Sequence, residues 1–314
     1  MTGIVSSARR LAASACLVLA ASACVSSGSG PPAPPSSVAG KPVIRIASFD
    51  FPESVLLAQI YGQALEAHDF PVRLSLELGS REVVQPALQQ GFVDLVPEYA
   101  GSALEFVTVG RDQPTADPGA THDLLVRALR PKGVAVLDAA PAQDQNAIVV
   151  TADTARANGL RTVSDLDSLA SGLVFGGPPE CPVRTFCLPG LKSTYGLSFE
   201  QFMSLDASGP YTVNALKDGA VDVALLFTTD GDISPNGFVV LQDDRDLQPA
   251  ENVTPVLRRA VVAAYGDRVV EVLDAVSAQL TTSDLADMNQ HVSLDGRSPA
   301  DVARAWLEEH GLVG

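Results

Sequence analysis

Residues 71–99 read PVRLSLELGSREVVQPALQQGFVDLVPEY. Positions 71–78 alternate apolar and polar residues, the period of a half-buried strand. Ser80 stands where a helix takes its N-cap and Gly91 where a helix stops. VDLVPEY (93–99) is again of strand type. Strand, helix and strand in so short a stretch form the unit from which α/β proteins with largely parallel sheets are assembled.

The same alternation extends outward. VIRIAS (43–48) predicts a strand, and PESVLLAQIYGQALEAH (52–68) predicts a helix with Pro52 in its first turn. AGSALEFVT predicts a short helix, followed by a Pro/Asp/Gly-rich loop (110–119), the helix THDLLVRALR and the strand VAVLD (134–138). The pattern then restarts. NAIVVT (146–151) and LVFGG (173–177) predict strands, with helical stretches around SDLDSLA (164–170). A helix ends near Tyr195-Gly196. FMSLD, PYTVNALKDG and VDVALLF repeat strand, helix and strand, and GFVVLQDD (237–244) adds a strand. The rest of the chain, ending in DVARAWLEEHGL, predicts almost only helix, with Trp306 in a core. The expected fold class is therefore α/β in two lobes. Residues 43–143 and 231–314 form lobe 1, and residues 144–230 form lobe 2. A small-molecule cleft lies between them, beyond the carboxyl ends of the strands.

The N-terminus carries Arg9 and Arg10 and then an apolar run from Leu11 to Ala23 without an acid. This is the layout of an export signal over residues 1–23. Ala21-Ser22-Ala23 before Cys24 look like a lipobox, so Cys24 is the expected lipidation site. Cleavage before Cys16 would leave too short an apolar core. Plain secretion with cleavage nearby is the alternative. Residues 24–42, rich in Gly, Ser and Pro, predict a flexible tether. The working part is thus expected outside the cytoplasm, anchored to the cell membrane.

The net charge is −16, and the leader contributes two arginines and no acid. So acidic a surface argues against nucleic acid as a partner. There is no G-x-S-x-G, H-E-x-x-H or Gly-rich phosphate loop, and the four histidines (68, 122, 291, 310) are scattered. No enzyme activity, cofactor or metal is expected. Cys181 and Cys187 in ECPVRTFCLPG predict a disulfide outside the cytoplasm, with a metal site as the alternative reading.

GSREVVQPALQQGFVDLVPEYAGSAL closely resembles the signature of substrate-binding proteins of the glycine betaine/choline/osmoprotectant class, which serve ABC importers. DQNAIVVT, ECPVRTFCLPGLKSTYGL and ALKDGAVDVALLFTTDG resemble further blocks of that class, in order along the chain. The resemblance implies a type II periplasmic-binding-protein fold with two hinge crossings, placed near 144–150 and 228–240. It also implies a monomer that delivers a small ligand to permease and ATPase subunits. It assigns Arg184 to a ligand carboxylate, with Glu180 on the same loop. Tyr99 becomes a wall of an aromatic cage, and Ser102 stands where the family often has threonine. The cage departs from the family pattern. Asp144, Gln145 and Asn146 stand where a tyrosine is often found, and Phe227 is followed by Thr228 and Asp230. Tyr61 and Tyr265 read as structural. Tyr211 could reach the cleft from a helix start, and Phe49 and Phe51 are candidate lining residues. A pocket so rich in polar groups predicts a ligand with more hydrogen-bonding groups than glycine betaine: another zwitterion, or a polyol- or phenol-like compound. A ligand sensor of the same fold is the alternative function.

Overall fold

The computed structural model describes residues 40–111 and 113–313. The expected signal, Cys24 and nearly all of the tether lie outside the described residues. The first lobe is built from β1 (Ile44–Ala47), α1 (Pro52–Ala67), β2 (Val72–Ser75), α2 (Arg81–Gln90), β3 (Leu95–Tyr99), α3 (Ala100–Thr108), α4 (Pro118–Leu129) and β4 (Val134–Val136). The second contains β5 (Asn146–Thr151), α5 (Ala152–Asn158), β6 (Val174–Gly177), α6 (Leu188–Tyr195), β7 (Gln201–Ser204), α7 (Pro210–Lys217), β8 (Val223–Phe227) and β9 (Phe238–Leu241). The chain then adds β10 (Val253–Arg258), α8 (Arg259–Tyr265), α9 (Asp267–Gln279), α10 (Thr282–Ser293) and α11 (Pro299–Glu309).

The strands form two five-stranded sheets, ordered β2-β1-β3-β10-β4 and β7-β6-β8-β5-β9. Each has four parallel strands and one strand running against them that arrives from the other lobe. In the first sheet β10 pairs antiparallel with β3 and β4. In the second, β5 pairs antiparallel with β8 and β9. The parallel strands end together, so the loops after β1, β3, β6 and β8 gather on the cleft side.

Two expectations are corrected. Residues 231–241 do not return to the first lobe, because β9 pairs along β5 in the second sheet. The second crossing is therefore 242–252, not 228–240. It runs beside the first crossing: Gln143 bridges Asn252, and Asp144 N donates to Glu251 O at 3.2 Å. The final segment is also not purely helical. VTPVLR (253–258) is a central strand of the first sheet, buried along nearly its whole length. It lacks the alternation of a half-exposed strand because both faces are covered.

The first core is continuous from β1 through α1 to α11, and Trp306 is buried in it. Helix α1 is buried around most of its circumference, because the sheet lies on one side and α9, α10 and α11 on the other. The second sheet has a core on each face. Among the described residues no helix is long and apolar enough to cross a membrane.

Gly231, in the loop after β8, lies against the backbone of α10. A Cβ there would sit 2.5 Å from Gln290 N and Cα. Gly231→Ala should therefore lower stability by about 1–3 kcal/mol, read as a lower urea midpoint. An unchanged midpoint would mean that the loop yields freely.

Candidate functional site

A cavity of about 130 Å³ lies between the two sheets. Its walls come from the loop after β1 (Phe49, Asp50, Phe51), the start of α2 (Ser80, Arg81), the β3–α3 junction (Tyr99, Ser102, Glu105), the two crossings (Asp144, Glu251), the start of β5 (Asn146), the end of β8 (Leu225, Phe227) and the disulfide loop (Glu180, Arg184, Thr185).

The aromatic part centres on Phe51. Its ring is stacked on Phe49 at 5.9 Å, tilted against Tyr99 at 6.0 Å, and meets Phe227 of the other lobe edge-on at 5.1 Å. Phe227 thus forms a wall of the cavity from the second lobe. The Arg81 guanidinium lies over the Phe49 ring at 4.9 Å. Arg81 is held in the site by Glu98, which accepts from its Nη2 at 2.8 Å and is itself fully buried. Sequence reasoning missed Arg81. Its signal was an arginine in a helix's first turn, where the macrodipole favours an acid.

Arg184 sits in the loop that the Cys181–Cys187 disulfide closes, with a Cα–Cα distance of 5.2 Å. The loop is wound on itself: Arg184 N donates to Glu180 O, and Cys187 N to Arg184 O. Arg184 Nη2 donates across the cleft to Glu82 at 2.9 Å, and Thr185 Oγ1 to Glu105 at 2.6 Å. Arg184 Nε is buried with no acceptor. Burial, followed by the charge of Arg81, lowers the pKa of the guanidinium.

Carboxylates line the opposite pole. Ser102 donates to Glu251 from both N (3.0 Å) and Oγ (2.6 Å). Burial nevertheless raises the Glu251 pKa to about 7. Asp144 accepts from Thr228 Oγ1 and from Thr229 N, each at 3.1 Å. Burial, then the charge of Glu53, pushes its pKa well above the usual carboxylate range. Glu53, unforeseen in the sequence, accepts from Tyr99 Oη at 2.7 Å, from Asn289 Nδ2 at 2.6 Å and from Thr229 Oγ1.

The structure brings Phe49, Tyr99, Ser102, Asp144, Asn146, Glu180 and Arg184 to this cavity. Four expected contacts are corrected. Tyr211 is 75% exposed at the start of α7, because the Asp206 carboxylate holds its amide and turns its side chain to solvent. Gln145 points away, donating to Pro249 O at 2.6 Å. Thr228 braces Asp144. Asp230 accepts from Ser208 Oγ at 2.5 Å and lines a separate cavity of about 310 Å³ on the other side of Phe51 and Phe227. Asn146 reaches the cavity wall, but its amide donates to Phe186 O and Gln248 Oε1 at 3.1 Å each. Among the described residues no group of three or more His, Cys, Asp or Glu is placed to hold a metal ion.

Two lobes joined by paired crossings, with a charged aromatic cavity between them, define a two-lobed solute-binding protein. Residues 42–309 match the family described as the substrate-binding domain of ABC-type glycine betaine transport systems, and the chain belongs to that family. It is 28% identical to the glycine betaine-binding protein YehZ of Escherichia coli strain K12 over 277 residues, covering 85% of this chain and 90% of that one. It is 24% identical to the ergothioneine transport permease/ergothioneine binding protein EgtU of Helicobacter pylori, covering 89% of this chain and 49% of that one. Among solved structures, one titled glycine betaine/carnitine/choline ABC transporter superposes with a TM-score of 0.67 at 24% identity, over 86% of this chain and 99% of that one. The fold is that of the type II periplasmic binding proteins.

A buried acid with a raised pKa keeps its proton in the folded chain over a range where the unfolded chain has lost it. Glu251 therefore makes stability fall as pH rises from about 4.5 to about 7, with no further change above. Glu251→Gln should flatten that fall in melting temperature without abolishing it, since Asp144 and Asp230 act in the same direction. An unaltered slope would show that Glu251 titrates normally.

Proposed function

We propose that this chain is the extracytoplasmic solute-binding component of an ABC importer, and that it captures a small zwitterion in the cavity between its lobes. Arg184 carries this reading. Its side chain lines the cavity, and its Nε is buried with no acceptor in the protein. A buried donor without a partner costs free energy that a ligand carboxylate recovers. The positive end of the ligand lies among Phe51, Tyr99 and Phe227, whose ring faces attract a cation without a hydrogen bond, and beside the carboxylate of Asp144. The relatives named for glycine betaine and ergothioneine support this choice.

The polyol- or phenol-like ligand is the less favoured reading. It rested on surplus polar groups, and Gln145, Asn146, Thr228 and Asp230 all have partners within the protein. Capture works by closure. The ligand touches both lobes, so it favours the closed state by its differential affinity. The Arg184–Glu82 and Thr185–Glu105 contacts bridge the two lobes and support that state. The closed form docks on the permease and its ATPase partner, and Cys24 carries the lipid that holds the protein at the membrane.

A thermal-shift screen with glycine betaine, carnitine, ergothioneine and choline tests the ligand class. Zwitterions should raise the melting temperature by mass action. Arg184→Ala should weaken the best of them by about 1.5–3 kcal/mol while leaving choline, which has no carboxylate, unchanged. Stabilisation by polyols or polyphenols and by no zwitterion would overturn the reading.

A further inference from the structure

Asp144 and Glu53 are two carboxylates joined through one residue. Thr229 donates its backbone N–H to Asp144 Oδ1 and its hydroxyl to Glu53 Oε2. Both acids are buried, at 6% and 4% exposure. Neither forms an ion pair or accepts a hydrogen bond from a Lys, Arg or His among the described residues; their donors are Thr228, Thr229, Tyr99 and Asn289. Burial, and then the charge of Glu53, disfavours the ionised form of Asp144. The two hydrogen bonds that Asp144 accepts both end on Oδ1, and its carboxyl forms part of the cavity wall. Asp144 is thus the member of the pair that a ligand can touch.

We infer that the positive group of the ligand takes the place of a proton on Asp144, so that filling the cavity releases that proton to solvent. The exchange balances: the Asp144 O–H bond breaks, the proton leaves to water, and the carboxylate keeps the electron pair and faces the bound cation. The raised pKa of Asp144 supports a proton being there to displace. The other charged or titratable groups around it are Glu53 on α1, Tyr99 at the end of β3, Arg81 on α2, Glu251 on the second crossing and Asp230 after β8. Arg81 is already committed to Glu98. Asp230 and Glu251 are acids whose own pKa values are raised. No neighbouring cation therefore does the ligand's work beforehand. The consequence is a solute preference. A cationic solute gains a counter-ion that an uncharged solute of the same shape does not. Affinity for the cation falls, by up to about tenfold per pH unit, as pH drops below the raised pKa of Asp144.

This inference rests on the zwitterion reading above. The test uses the mature protein with glycine betaine and with 3,3-dimethylbutanoate, its isostere in which carbon replaces the quaternary nitrogen. Protons are followed by an indicator dye in weakly buffered solution near pH 6. The expected result is proton release on binding glycine betaine, rising towards one per ligand as the pH is lowered, and none with 3,3-dimethylbutanoate. Asp144→Asn, which keeps an acceptor for Thr228 and Thr229, should bind glycine betaine more weakly, with the release lost and with a flatter pH dependence than the native protein. Glu53→Gln is the second variant. It removes the neighbouring charge and should move the onset of release to lower pH. Binding without release in the native protein, or the same release in Asp144→Asn, overturns the inference and leaves the zwitterion reading standing. If glycine betaine does not bind, carnitine and ergothioneine replace it. Failure of all three overturns the parent reading instead.

Discussion

The constraint on which the rest depends is the pairing of the two chain crossings. Each sheet holds a strand running against the others that arrives from the other lobe, β10 in one and β5 in the other. The segments leading into them therefore run side by side. Gln143 opposite Asn252, and Asp144 N on Glu251 O, lock them together. This pairing joins the lobes and also places the acids of the site, because Asp144 lies on one crossing and Glu251 on the other. Backbone bonds that hold the crossings together are within a residue of side chains that line the cavity. Lobe geometry and site electrostatics are therefore set by the same few residues.

Around that axis the cavity is polarised. Arg184 approaches from the disulfide loop, and the aromatic cluster and the carboxylates of Asp144 and Glu251 lie toward the crossings. Most of the charge is held in place by the protein. Glu98 fixes Arg81, Ser102 fixes Glu251, and Thr228 and Thr229 fix Asp144. Preorganised groups of this kind lower the cost of ordering on binding. The chain departs from a cage made only of aromatic rings by combining three ring faces with a buried carboxylate beside them.

Much of the architecture was legible in residues 71–99 and in their restart after Asn146, because alternation and helix-stop signals are local. β10 was not, since a strand covered on both faces loses its alternation and can be mistaken for a helical run. β9 was recognised as a strand but placed with the wrong lobe, because sheet membership depends on a partner far away in sequence. In the site, Tyr99, Ser102 and Arg184 were legible from motif blocks. Arg81, Glu53 and Glu251 were not. Their importance lies in burial and in partners such as Glu98, Asn289 and Ser102, which no short window contains. Tyr211 was misplaced for the converse reason: its neighbourhood in sequence is near the cleft, but its side chain is directed outward.

The disulfide loop separates two tasks that most binding loops must perform together. Cys181 and Cys187 are buried in the second core and close the ring covalently, while Arg184, Thr185 and Phe186 between them line the cleft. Substitutions in that ring can alter which solutes are accepted while the anchor in the core stays the same. Divergence of uptake range among related chains can proceed there without renegotiating how the lobe folds.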